Sequence, residues 1–439
     1  MITTFEQALS YLFSHIPKNE IRKFPGQLGL ERMNVLMEKL GSPQEKYRVI
    51  HIAGTSGKGS TATLTSHALA SQGFCVGLQL SPHLLDIRER VQINNSFISK
   101  EKFIKYLNEI VPSVEEVSKG DFGEVTYFEI LVALAYYSFW KESVDYAVIE
   151  TGMGGLYDGS NVVKRQDKIS VITKIGFDHM AVLGNTLPEI ATQKAGIIKQ
   201  GNTLITTQQE EVVQAVLSKQ SEEKKAFLTV LQRSEYEVTA ISENGTEYID
   251  KKRNKKRQLS LIGKHQAENA QLASEIIYQL SKQDRWEVDE QKLAQTLKSI
   301  TLPGRIDIVH LGTNTLVIDG AHNTQKMNAF LEALAHMYPD QKHIFLVAFK
   351  HGKDIQSMIE KIEVLAKEII VTDFWVDTQD MLNISEPVEI VASYVTKVPV
   401  TTIPGTKEAL EQVIKKDTKI IVTGSLYFAS EIYKIISKK

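Results

Sequence analysis

The sequence predicts an α/β protein of two domains. The first, over residues 1–299, is a P-loop-type domain on a mainly parallel sheet with a small antiparallel addition; the second, over 300–439, is a smaller Rossmann-like α/β domain. Three observations carry this. Short β-branched runs alternate with longer amphipathic stretches along most of the chain, a glycine-rich turn joins an apolar run to a helical stretch at 51–61, and Thr301-Leu302-Pro303-Gly304 interrupts the alternation before it resumes. At 439 residues the chain also exceeds what one compact core accommodates.

In chain order, Tyr47-Arg48-Val49-Ile50 reads as a strand and Ala62 to Ser71 as a helix, with the glycine-rich turn between them. Phe74 to Leu80 is a second strand and Thr126 to Phe139 a long apolar helix. Strands are expected at Tyr146 to Ile149, Ile169 to Ile172 and Thr203 to Thr206. The pattern then changes. Ala226 to Leu231, Tyr236 to Ile241 and Gln258 to Ile262 read as antiparallel strands around a turn at Asn244-Gly245. Helices from His265 to Ser281 and Asp289 to Ser299 close the first domain. Strands at Thr315 to Ile318, His343 to Ala348, Glu368 to Val371 and Lys419 to Val422 define the second.

A net charge of −2 gives no electrostatic argument for nucleic acid or an anionic membrane as partner. No run reaches the ~18 apolar residues that span a bilayer, and Met1 to Glu6 lacks a signal-peptide pattern. Cys75 is the one cysteine, so an internal disulfide is impossible and a reducing, cytoplasmic setting is expected. Its apolar neighbours make it a core residue rather than a nucleophile.

The chemistry concentrates after strands. In His51-Ile52-Ala53-Gly54-Thr55-Ser56-Gly57-Lys58-Gly59-Ser60-Thr61, the glycines let consecutive N–H groups curl toward an anion, the helix beginning near Ser60 adds its positive end, and Lys58 supplies a mobile cation. This is a nucleotide phosphate cradle, with Lys58 preceding Gly59 rather than following it. Glu150, at a strand end before Gly152, Gly154 and Gly155, can reach a metal beside phosphate. His179 follows Asp178 after another strand; neutral imidazole suits a neighbour of magnesium better than a ligand, and both readings stay open. The hydroxyl of Ser81, before Pro82, could join a metal sphere. Lys194 and Lys199 by themselves are ordinary helix-face lysines. In the second domain Asp319, His322 and Asn323 follow one strand and Ser425 another, which suggests a small-molecule site. The basic run Lys251 to Arg257 reads as a solvated hairpin tip or as a contact for a polyanion.

Together these residues resemble the folylpolyglutamate synthases, a family that includes dihydrofolate synthase and is related to the Mur ligases. The motifs fall in family order: Gly54 to Ser60; Ser81-Pro82-His83-Leu84 with Arg88-Glu89-Arg90; Thr126-Tyr127-Phe128-Glu129; Gly154-Gly155 with Asp158 and Asn161; Asp178-His179; Lys194 to Lys199; His265-Gln266 with Asn269; Pro303-Gly304-Arg305; and Asp319 to Asn323. Ser56, Leu156, Tyr157, Gly159, Ser160 and Thr324 depart from the commoner residues at their positions.

The resemblance implies an ATP-dependent ligase that adds L-glutamate to the terminal carboxylate of a reduced folate through an acyl phosphate, with the conversion of dihydropteroate into dihydrofolate as a second, separable activity in this family. It implies catalytic roles for Lys58, Lys194 and His179, with Lys194 carbamylated, and magnesium (two ions) held by Ser81, Glu150 and His179. ATP, the co-substrate, would meet Gly57, Lys58, Gly59, Ser60, Asn269, Arg305 and Asp319. Folate would meet Gln27, Leu28, Gly29, Leu30, Thr126, Tyr157, Asp158 and Gly159, and the incoming glutamate His322 and Ser425. A cytoplasmic monomer is expected, with folate, L-glutamate and ATP as partners and neither nucleic acid nor membrane. The alternative is a Mur-type ligase of peptidoglycan precursors; against it stand the Ser-Pro-His-Leu motif and a phosphate loop that starts as early as Gly54.

Overall fold

The computed structural model describes residues 1–17, 26–375, 385–416 and 419–437. Among these, the chain packs as two units: 1–237 with 250–255 and 268–298, and 238–249 with 256–267 and 299–439. The break at Thr301 to Gly304 thus lies close to the last crossing, but two earlier segments already pack with the second unit. The hairpin strands there alternate inward and outward residues too weakly for their partner to be read from sequence.

The larger sheet contains β1 (Arg48–Ala53), β2 (Val76–Gln79), β3 (Gln92–Ile93), β4 (Ser96–Phe97), β5 (Tyr146–Glu150), β6 (Ile169–Ile172), β7 (Thr203–Thr207) and β8 (Phe227–Leu231). Their spatial order is β4-β3-β2-β5-β1-β6-β7-β8. From β2 to β8 all pairs are parallel; β3 and β4 add an antiparallel edge. β8 corrects the expectation for Ala226 to Leu231, because it pairs parallel with β7. The helix Glu211–Glu223 between them supplies the crossover that parallel pairing requires.

The strands are buried on both faces and read as apolar runs. The helices Phe5–Ser14, Gln27–Lys39, Lys100–Ser118 and Tyr127–Lys141 build one core with Val49, Ala147 and Ile149, and half-buried Cys75 packs against it. Tyr127–Lys141 is apolar nearly all round because it lies buried in that core. The helices Leu187–Ala195 and Glu211–Glu223 form another core with Ala53, Ile172 and Leu204.

A three-stranded sheet follows, β9 (Tyr236–Ser242), β10 (Gly245–Asp250) and β11 (Lys255–Leu259), in the order β11-β10-β9. β11 starts three residues earlier than the expected Gln258 strand; Gly263, at φ +111°, then turns the chain into the helix Lys264–Asp284. The second unit's main sheet contains β12 (Asp307–Leu311), β13 (Asn314–Ile318), β14 (His343–Val347), β15 (Ala366–Val371), β16 (Val400–Thr402) and β17 (Lys419–Thr423), in the order β12-β13-β17-β14-β15-β16. Only the β12–β13 hairpin is antiparallel. Among the described residues no helix is long and apolar enough to cross a membrane.

Candidate functional site

Four neighbouring parallel strands, β2, β5, β1 and β6, deliver the first unit's candidate residues from their carboxyl ends. Ser81 follows β2, Glu150 ends β5, the glycine loop follows β1, and Asp178-His179 follows β6. Adjacent parallel strands bring such residues together although they are far apart in sequence.

The glycine loop has little room. A Cβ on Gly54 would sit 1.9 Å from Thr173 Oγ1, and one on Gly57, at φ +89°, 2.3 Å from Asn269 Oδ1. Asn269 therefore lies directly on the loop, within the same unit. Backbone N–H groups of Thr55 and Ser56 donate to the carbonyl of Lys174, which pins the start of the loop to the β6 end. The helix Lys58–Ser71 follows; the N–H groups of its first turn, at Lys58, Gly59 and buried Ser60, point out of the helix end as an anion site. Lys58 Nζ donates to the Gly54 carbonyl at 3.1 Å, and Lys194 Nζ donates to the same oxygen at 2.8 Å. Lys194 is buried, at the last turn of Leu187–Ala195.

Glu150 is also buried, and its Oε2 accepts the Ser81 N–H at 2.8 Å. A Cβ on Gly59 would lie 3.5 Å from Glu150 Oε1, so the carboxylate stands against the phosphate loop. His179 has φ +52° and opens the four-residue helix Met180–Leu183; its Nε2 is 3.9 Å from Asp178 Oδ1, and its side chain is partly exposed. Among the described residues no three His, Cys, Asp or Glu side chains converge into a metal-holding cluster. What Ser81 and Glu150 offer is a hydroxyl and a carboxylate beside a phosphate cradle. That donor set fits magnesium, which takes one or two protein oxygens and completes its shell with phosphate and water.

The folate candidates gather around the helices Gln27–Lys39 and Tyr127–Lys141. Thr126 caps the latter in a reciprocal box with Glu129, and Glu129 is gripped by Arg32 through Nε at 3.0 Å and Nη2 at 2.7 Å. Gln27 Nε2 bonds Glu31, Leu28 is exposed, Gly29 buried and Leu30 partly buried in the same first turns. The segment 151–161 folds onto this group. A Cβ on Gly159 would touch Glu129, Met33 and Phe128, and one on Gly152 would strike the Phe128 ring. Leu156 N–H bonds the Gln193 carbonyl, so the Tyr157–Gly159 stretch rides on the helix that carries Lys194. Asp158 is buried and faces inward: its carboxylate accepts the N–H groups of Met153 at 2.7 Å and Ser160 at 2.9 Å, and burial raises its pKa. It organises the loop.

The second unit brings together the ends of β13 and β17. Asp319 N–H bonds the Val422 carbonyl, and a Cβ on Gly320 would meet Leu426 and the Arg305 guanidinium. Asp319 accepts from Ile306 N–H at 3.0 Å and Ala321 N–H at 2.8 Å; burial pushes its carboxyl up to about 6, opposed by Arg305. His322 Nδ1 lies 2.8 Å from the Gly320 carbonyl and its Nε2 2.9 Å from Lys326 Nζ. Ser425 caps Leu426–Ile436. In the basic run, Lys251 pairs with Glu237, Lys252 with Glu275, and Arg253 with Asp250 and Glu275 while stacking on Tyr278. That half is already neutralised, which leaves the polyanion reading without support there.

Sequence reasoning missed three residues of this assembly. Arg32 carried no motif. His51 and Ser160 were passed over inside stretches quoted for other residues; a histidine amid the apolar positions of β1 was the available signal.

Residues 52–277 match the Mur ligase middle domain family and residues 305–435 the family described as dihydrofolate synthetase, C-terminal domain. The chain is 31% identical to dihydrofolate synthase/folylpolyglutamate synthase of Bacillus subtilis over 99% of both chains. It is 30% identical to dihydrofolate synthetase of Saccharomyces cerevisiae, over 93% of this chain and 98% of that one. Its fold is similar to Mycobacterium tuberculosis folylpolyglutamate synthase complexed with ADP, with a TM-score of 0.85 and 27% identity over 99% and 98% of the two chains. An FPGS–AMPPCP–folate complex matches at TM-score 0.83 and 27% identity, over 99% and 100%. These full-length folate-ligase relatives set the peptidoglycan alternative aside.

Proposed function

The chain belongs to the folylpolyglutamate synthase/dihydrofolate synthase family of Mur-type ligases, and on that premise we propose that it joins L-glutamate to the terminal carboxylate of a reduced folate, using ATP. The observation that carries this reading is the meeting of Lys58 and Lys194 on the Gly54 carbonyl, beside the Glu150–Ser81 pair.

A carboxylate is a poor electrophile, because attack must break its resonance and expel oxide. Transfer of the γ-phosphoryl group from ATP to a carboxylate oxygen releases ADP and leaves an acyl phosphate. The amine of glutamate then attacks the acyl carbon, loses a proton and expels inorganic phosphate, which carries away one oxygen of the original acid. Gly57 to Ser60 hold the phosphates through backbone N–H groups, and Lys58 swings from Gly54 to the transferring group, offsetting its charge. Ser81 and Glu150, with His179 from the end of β6, one strand beyond β1, would hold magnesium. When bound, magnesium neutralises phosphate charge and polarises the group in transfer. A carbamate on Lys194 keeps one N–H for the Gly54 carbonyl and turns a buried cation into an anion. Asn269 is a nucleotide candidate on the loop of the first unit; within the second unit, Arg305 and Asp319 are the nucleotide candidates and His322 and Ser425 the glutamate candidates. Gln27 to Leu30, Thr126 and Tyr157 to Gly159 shape the folate pocket. Dihydropteroate is the proposed second acid substrate, and a cytoplasmic monomer the working form.

The test is purified protein with ATP, magnesium, L-glutamate and a folate or dihydropteroate whose carboxyl oxygens are labelled with oxygen-18. Label should appear in the released phosphate. Absence of glutamate-dependent phosphate release with every acid overturns the reading; release without label overturns the acyl phosphate. Carbon-13 NMR after equilibration with labelled bicarbonate should show a carbamate that Lys194→Ala removes.

A further inference from the structure

We infer that His51 is a positioning residue that closes the folate-binding segment 151–160 into one loop and so sets the affinity for the acid substrate rather than for ATP. The inference rests on the functional reading above.

His51 sits in the middle of β1, three residues before Gly54 of the phosphate loop, and is wholly buried. Its Nε2 is 2.9 Å from Ser160 Oγ and 3.1 Å from Thr151 Oγ1, so one ring nitrogen reaches both ends of the segment. Thr151 adjoins Glu150, and Ser160 follows Tyr157 to Gly159. Ser160 Oγ donates in turn to Asp158 Oδ1, whose carboxylate collects the Met153 and Ser160 N–H groups. The order is thus imidazole, hydroxyl, carboxylate, loop backbone. Because the Ser160 proton is committed to Asp158, its oxygen acts as acceptor toward Nε2, and His51 holds the Nε2–H tautomer. His51 Nδ1 is buried without a hydrogen-bond partner, as the lone pair of that tautomer rather than a stranded N–H. Burial lowers the pKa of His51 well below its ordinary value, with Lys168 and Lys199 adding to the effect, so the ring stays neutral.

A hydrogen-bonded chain of this kind, buried and anchored at the segment's two ends, fixes a loop that four glycines would otherwise leave loose. None of its members is among the residues proposed above to hold ATP. Its loss should therefore displace Tyr157 to Gly159 and leave the phosphate cradle standing.

The experiment compares H51L, H51Q, S160A and the H51L/S160A double variant. Gln can place an amide N–H near the position of Nε2; Leu cannot. H51L and S160A should each raise the folate KM about tenfold while the ATP KM stays within about twofold, as expected when a reactant's positioning is loosened. H51Q should recover most of the loss, and the double variant should be no worse than the worse single. Folate and ATP KM values rising together, or an unchanged folate KM, overturns the inference. Amide hydrogen exchange reads the same device without substrate: Met153 and Ser160 should lose protection in H51L while Lys58–Ser71 keeps it. Unchanged exchange at those two amides overturns the inference even if the wild type proves to act on another acid.

Discussion

Glu150 Oε2 accepts the backbone N–H of Ser81 at 2.8 Å, which staples the carboxyl ends of β5 and β2 together next to Gly59. The same carboxylate serves as structural acceptor and candidate metal ligand, and the two roles can be separated. Glu150→Gln keeps an oxygen for the Ser81 N–H but loses the charge. The magnesium concentration for half-maximal activity should rise about tenfold or more, with little change in Tm. A magnesium titration followed by a melting curve checks this; a fall in Tm with unchanged magnesium dependence would make Glu150 purely structural.

Gly57 and Gly73 separate backbone strain from crowding. Both have positive φ, +89° and +100°, but a Cβ on Gly57 would meet Asn269 at 2.3 Å, whereas one on Gly73 meets nothing within 4 Å. Each alanine costs about 1–2 kcal/mol in the left-handed region. Only Gly57→Ala should also weaken ADP binding, by about tenfold or more as the loop loses its shape. Calorimetric titration of ADP into both variants decides it; equal affinities would remove Asn269 from the loop's support.

The Arg32–Glu129 pair has side chains only 5% and 4% exposed. Arg32→Met strands a buried carboxylate and should cost about 3–5 kcal/mol. Replacing both residues by Met should cost much less than the sum of the single changes, though some loss persists because Glu129 also caps at Thr126. Urea unfolding across the double-mutant cycle measures this, and additive losses would contradict a coupled pair.

Asp319 gives a pH signature. Its folded pKa, about 6, lies above its ordinary 3.8, so its contribution to stability is complete below about 3.8 and is lost as pH rises through about 6. The stability of wild type minus that of Asp319→Asn should fall by about 3 kcal/mol between pH 4 and 7, the free-energy equivalent of that rise. A flat difference would mean that the carboxyl titrates as an ordinary one. The destabilised carboxylate is then a group prepared for a ligand rather than for the fold.

Much of this assembly was legible in the sequence because its signals are local. The glycines and Lys58 of the phosphate loop, the strand runs ending at Glu150 and Ile172, and Thr126 capping through Glu129 each lie within a few residues. Direction and partnership were not. Phe227–Leu231 carries the composition of any edge strand, and only the crossover shows that it runs parallel to β7. Asp158 was named with Tyr157 and Gly159 for folate; that its carboxylate collects the Met153 and Ser160 N–H groups was not legible, because a side chain's sense of rotation in a loop leaves no trace in spacing. Arg32 and Glu129 are 97 residues apart, and no pattern along one chain announces such a pair.

The assignment of 238–249 and 256–267 to the second unit bears on engineering. A fragment cut at 300 would leave its β-hairpin behind, and an N-terminal piece ending at 299 would carry that hairpin as an unpartnered appendage. The smaller lobe cannot be swapped between relatives as a terminal cassette. A viable chimera must exchange the interior segments in the same step, and a protease nick near 301 should not release two self-sufficient halves.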